Sequence, residues 1–139
     1  MVHLSKLCVG VRDVAQLRAW QEQRIGSDPP LRHMTRNMPR RAEEVVAGGS
    51  LYWVLAGVML VRQRVVAIRP DRWDDGTACA GLHLDPALIP VEPRVVRAFQ
   101  GWRYLLPADA PPDVDPNNPA PDLGMPEQLR ADLRRLALL

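Results

Sequence analysis

Apolar positions in this chain recur with two periods, and the switches between them mark its elements. From Val2 to Val9, apolar and polar residues roughly alternate, with Val2 and Leu4 on one side and Leu7 and Val9 on the other. That pattern predicts a strand, closed by Gly10. Asp13 then offers an N-cap and Gln16 stands at capping-box spacing. Val14, Leu17, Trp20 and Ile25 make the apolar stripe of a helix from about Asp13 to Arg24. The run Gly26-Ser27-Asp28-Pro29-Pro30 stops it. Leu31 to Asn37 reads as a short extended piece carrying His33 and Arg36. Pro39 suits the first turn of a second helix, Pro39 to Ala47, and Gly48-Gly49 supplies a left-handed stop.

Beyond Gly49 the texture is that of strands. Ser50 to Ile68 is rich in Val, Leu, Tyr and Trp, and Gly57 splits it into Leu51–Ala56 and Val58–Arg69. Asp74-Asp75-Gly76 is a turn before a further strand, Thr77 to Leu84. Glu92 to Ala98 and Gly101 to Leu105 supply the last strands, with Pro93 confining the first of them to an edge. Helices between most strands would be needed for a doubly wound parallel sheet, and none follows Gly49. The expected class is therefore α+β: a curved, mostly antiparallel sheet or small β-barrel flanked by two or three helices. Residues 1–106 form the expected domain. Seven prolines between Pro107 and Pro126 mark residues 107–126 as a linker, and Leu129, Leu133 and Leu136 give residues 127–139 helical spacing.

Composition narrows the function classes. A chain of 139 residues with 47% hydrophobic and 24% charged residues can bury a core of its own. The formal net charge of +2 is too small for binding nucleic acid by bulk charge alone. Seventeen of the 18 basic residues are Arg, and Lys6 is the single lysine. A GC-rich coding sequence explains that bias. So does a preference for planar donors that match phosphate or carboxylate. Cys8 and Cys79 are too few and too far apart for a disulfide framework, which fits a reducing, cytoplasmic setting. No signal peptide is expected from the N-terminal residues. The longest apolar run, Leu51 to Val61, is short of the ~20 residues that cross a bilayer, so no membrane role is expected.

Candidate chemistry is sparse. His3, His33 and His83 are dispersed, and Cys79 and His83 stand ~13 Å apart along one strand, too far to chelate one ion. No metal, cofactor or nucleophile signature is present, and a catalytic residue set is not expected. What the chain offers instead is arginine beside aromatic rings. Arg36, Arg40 and Arg41 bracket the start of the second helix, where free N–H groups favour anions; Glu43 and Glu44 offset them. Arg62 and Arg64 share one strand face with Val58, Leu60, Val66 and Ile68, which implies a bulge, an ion pair or a gripped ligand. Trp102 and Tyr104 share a face of the last strand while Arg103 takes the other. With Trp53, these residues suit stacking and phosphate contacts. Burial of the same rings in an edge strand is the competing explanation.

Four stretches carry a resemblance: His3 to Gly10, Thr35 to Ala42, Gly48 to Val54 and Phe99 to Leu105. Together they resemble an uncharacterised bacterial family, domain of unknown function 1489, over about Val2 to Pro112. The resemblance implies a compact unit and no particular activity. Ala42 to Ile68 is also similar, at fold level, to the PUA-like and ASCH-like small barrels, several of which bind RNA or modified bases. The expected function is thus a non-enzymatic module for RNA or a nucleotide-like anion. The contacts would come from Arg36, Arg40, Arg41, Trp53, Arg62, Arg64, Trp102, Arg103 and Tyr104. Two alternatives stand beside it: assembly with a protein partner or a second copy through the C-terminal helix, and an enzyme with a dispersed active site.

Overall fold

In the computed structural model, which describes residues 1–114, the alternating runs become seven strands and the two helical stripes become helices. The order is β1 (His3–Leu7), α1 (Val14–Ser27), β2 (Arg32–Thr35), α2 (Ala42–Val46), β3 (Ser50–Leu55), β4 (Val58–Arg72), β5 (Ala78–Leu84), β6 (Ile89–Val95) and β7 (Trp102–Leu105), followed by a 3-10 turn at Pro107–Asp109. One sheet holds them in the sequence β2-β5-β4-β3-β1-β7, with β6 on β4. All pairs are antiparallel except β1 with β3, which run parallel because the connection through α1, β2 and α2 returns the chain to the same end. The α+β class therefore holds, with a mixed rather than closed sheet. The expected helix at 127–139 and most of the expected linker lie outside the described residues.

Curvature comes from β4. Its ladder shifts register between Met59 and Val61 and again between Val65 and Ala67, so its first part pairs with β3 and β6 and its second part with β5. The bend brings the end of β2 toward β7 without a ladder between them. Side chains close the gap: Trp102 Nε1 donates to the Asn37 carbonyl at 2.9 Å, and the Arg41 backbone N–H donates to the Tyr104 hydroxyl at 3.0 Å. The expected barrel is thus corrected to an open sheet whose edges meet through rings.

Local chemistry explains the boundaries. Asp13 accepts from the Gln16 N–H at 2.8 Å, and Gln16 reaches back to the Arg12 N–H at 2.8 Å. Ala56 and Gly57 both have positive φ, 50° and 84°, the conformation of a tight two-residue hairpin between β3 and β4. After α2, Gly48 turns left-handed at φ 113°, and a side chain at Gly49 would collide with the carbonyl oxygens of Val2 and Val45. β6 pairs with β4 alone among the strands, as Pro93 requires.

Each sheet face carries apolar residues. The face that bears the helices buries Leu4, Leu17, Val45, Leu51, Trp53, Val61, Val65 and Leu82; the opposite face buries Tyr52, Val54, Met59 and Val91. The expected stripe of α1 is wrong in one respect: Leu17 and Gln21 are buried, while Trp20 and Ile25 are 37% and 39% exposed. A polar demand turns the helix. Gln21 and Gln63 exchange amide hydrogen bonds at 2.8 Å, Gln63 Oε1 also accepts from Trp53 Nε1 at 2.7 Å, and Gln63 Nε2 reaches the Asp85 carbonyl at 3.1 Å. Residues 107–114 are not free of the domain either. Val91 and Asp113 form a β-bridge, the Glu92 N–H donates to the Pro112 carbonyl and the Val114 N–H to the Pro90 carbonyl.

Gln63→Leu strands the Gln21 amide and the Trp53 N–H in the core, so urea denaturation is expected to show a loss of roughly 2–4 kcal/mol. Adding Gln21→Leu to that variant is expected to cost little more.

Candidate functional site

The seam between the sheet's edges is where the chain gathers charge and rings. Lys6 stands opposite Trp53 in the β1–β3 ladder and opposite Trp102 in the β1–β7 ladder, so the three side chains share one face. His33 arrives from β2, its ring edge-on to Trp53 at 5.1 Å. Tyr104 packs edge-on to Trp102 at 4.8 Å. Arg24, in the last turn of α1, lies over Trp20 at 4.7 Å.

Electrostatics at the seam are one-sided. Burial pushes the Lys6 ammonium down from its ordinary value. His33 is pushed down to about 4, first by burial and then by the positive charges of Lys6 and Arg24. Its Nε2 is buried without a hydrogen-bond partner among the described residues. Neither Lys6 nor Arg24 has an ion pair among those residues. Two residues beyond Lys6, Cys8 enters the wall of a cleft of about 640 Å³, where Gly10, Val11 and Arg12 face Val54, Ala56 and Gly57. The cleft sits at the carboxyl ends of the parallel strands β1 and β3. Burial raises the Cys8 thiol, and both cysteines are free. No three His, Cys, Asp or Glu side chains gather to hold a metal among the described residues.

The nine residues expected from the sequence do not meet in one hollow. Arg41, Trp102 and Tyr104 meet at the rim of the seam: Arg41 lies over the Tyr104 ring at 5.5 Å and pairs with Glu44 at 2.6 Å. Arg36 and Arg40 are exposed on the same loop. α2 has only five residues, and no side chain caps its start. Trp53 is 1% exposed and forms floor rather than platform. Arg62 and Arg64 point away from Val61, Gln63 and Val65, which lie on the helix-bearing face. Arg62 is paired with Asp113, and Arg64 donates to the carbonyls of Gly49 and Val46 beside the end of α2. Of the three explanations open for two arginines in a strand, a bulged ladder and an ion pair are both present here. Arg103 is on the far face of β7, over the Phe99 ring at 4.8 Å.

Lys6, Arg24 and His33 were missed by sequence reasoning. Lys6 carried a signal, as the one lysine among 17 arginines and in a strand. Arg24 and His33 carried none, because their proximity depends on how α1 and β2 cross the open edge.

The pattern of the family described as "Protein of unknown function (DUF1489)" matches residues 4–139. The chain belongs to this family. The match runs past Pro112, so the Pro-rich segment and the C-terminal leucines are part of the DUF1489 unit rather than additions to it. No curated protein and no solved structure matches the chain. No helix among the described residues of this DUF1489 chain is long and apolar enough to cross a membrane.

His33 binds its proton near 6.5 when unfolded and near 4 when folded, so its contribution to stability is complete above about pH 6.5 and is lost as pH falls toward 4. Urea titrations are expected to show a decline of up to roughly 3 kcal/mol across that window from this group. His33→Gln should flatten it.

Proposed function

We propose that the protein is a non-catalytic binding module for a nucleotide-like anion, with an unpaired nucleotide of an RNA as the favoured ligand. One observation carries this reading: Lys6 and Arg24 approach a ring-lined seam with no carboxylate to neutralise either of them among the described residues. A half-buried ammonium without a counter-ion is costly unless an anion joins it. Trp102 and Tyr104 offer ring surface beside it, and the adjoining cleft falls in the size range of small-molecule sites. Arg36, Arg40 and Arg41 stand along the rim, where a trailing phosphate backbone would pass. An open, curved sheet with both helices on one face also fits a PUA-like barrel left unclosed. A cytoplasmic location accords with free cysteines and an RNA ligand.

Fluorescence anisotropy with a labelled single-stranded RNA, across a salt series, tests the reading. Affinity is expected to fall with salt, and Lys6→Gln or Arg24→Gln should each reduce the log–log slope by about 0.7. Trp102→Ala should weaken binding by roughly 1–3 kcal/mol through lost stacking. Arg103→Gln, on the far face, should change little. Affinity untouched by Lys6→Gln combined with Arg24→Gln would remove the reading.

A further inference from the structure

The sheet face away from the seam holds a second polar cluster, and its chemistry is different. Arg62 donates from Nε to one oxygen of Asp113 at 2.7 Å and from Nη2 to the other at 2.8 Å. Its third edge is fixed separately: Nη1 donates to the Ser50 hydroxyl at 2.9 Å. Ser50 is fully buried, and its backbone N–H donates to His3 Nδ1 at 3.0 Å. The His3 ring stands edge-on to Tyr52 at 5.0 Å, and both side chains are more than nine-tenths buried. Three strands, β1, β3 and β4, thus contribute a walled recess around one guanidinium.

Asp113 does not belong to that wall. It arrives from the segment 106–114, past the last strand, and its side chain is 45% exposed. The segment rests on β6 through the Val91 bridge, the Pro112 and Val114 backbone bonds, and a contact from Arg94 to the Asp109 carbonyl. Because the Asp113 carboxylate stands half in solvent, water and salt compete for it. The guanidinium has a further partner, Ser50, which belongs to β3 and not to that segment. Two parallel N–H donors at a fixed spacing are the arrangement that recognises a carboxylate or a phosphate.

We propose that the Arg62–Ser50–His3–Tyr52 recess is an oxyanion-binding site, that Asp113 occupies it in cis, and that residues 106–114 act as a tethered, displaceable occupant. The ligand class is a group presenting two oxygens to one guanidinium, as a carboxylate or a phosphate monoester does. The site is independent of the seam, since it lies across the sheet from Lys6 and uses none of the same side chains.

The tether sets the terms of competition. A group held beside its site acts at an effective concentration of order millimolar, so a free anion reaches Arg62 in the intact chain only at high concentration. Removing the Asp113 carboxylate removes the competitor and leaves the wall intact.

The full chain and its Asp113→Ala variant are titrated with inorganic phosphate, and separately with acetate, at constant ionic strength set with chloride. Thermal shift and the Arg62 Nε–Hε resonance are followed. Asp113→Ala is expected to gain a saturable stabilisation by at least one of the two anions, at about tenfold lower concentration than the intact chain. Which anion acts at the lower concentration distinguishes a carboxylate from a phosphate ligand. The response should vanish in Asp113→Ala/Arg62→Gln and persist in Asp113→Ala/Lys6→Gln, which separates this site from the seam. If Asp113→Ala fails to fold, Asp113→Asn serves in its place, because it keeps the shape and loses the charge. Equal responses of the variant and the intact chain, or a response that survives Arg62→Gln, would overturn the proposal and leave Arg62–Asp113 a structural pair.

Discussion

One buried amide governs the placement of the surrounding elements. Gln63 Oε1 accepts from two donors, Gln21 Nε2 and Trp53 Nε1, while Gln63 Nε2 serves Gln21 Oε1 and the Asp85 carbonyl. Four pieces of chain are tied there: α1, β3, β4 and the turn after β5. An apolar contact would tolerate a slip of α1 along the sheet, but a reciprocal amide pair does not, because each misplaced donor in a dry core costs its full desolvation. The rotation of α1 follows from this. Gln21 faces inward with Leu17, which turns Trp20 about 100° away toward solvent, and Arg24 in the last turn is left where its charge acts on His33. The orientation of Trp53 follows as well, with its N–H held by Gln63 and its ring turned to His33.

Much of the architecture was legible because its signals are local. The Asp13–Gln16 cap, the Gly48-Gly49 stop, the Gly57 hairpin and the edge role forced by Pro93 each depend on a few neighbouring residues, and each is found. The parallel pairing of β1 with β3 depends on a crossover of more than forty residues, and no short-range pattern encodes it. The stripe of α1 was misread for a related reason. Helical periodicity ranks Trp20 above Gln21 on apolar character, whereas the fold ranks them by whether a partner amide waits across the gap.

The candidate site divides in the same way. That Trp102 and Tyr104 would share a face, with Arg103 opposite, follows from strand alternation. Which arginines would stay uncompensated does not follow from any local rule. Asp113 is 51 residues from Arg62, and Arg64 finds backbone carbonyls at the end of a helix only because β4 passes beside it. Three of the six arginines expected to converge were thereby removed from the seam: Arg62, Arg64 and Arg103. The positive residues that do reach it, Lys6 and Arg24, came from elements with no clustering in sequence.

The two faces of the sheet therefore treat charge in opposite ways, and geometry explains why. On the face away from the helices, Val96 and Phe99 of the β6–β7 connection and Ala110 of the segment 106–114 pack over Tyr52, Val54, Met59 and Val91, and Asp113 on that segment reaches the guanidinium of β4. On the helix-bearing face the position of Lys6 is fixed between Trp53 and Trp102, and the elements that cross it, α1 and β2, bring Arg24 and His33 rather than an acid. The one lysine of a chain with 17 arginines thus stands at a strand position flanked on both neighbouring strands by indoles. Its charge has no carboxylate partner among the described residues.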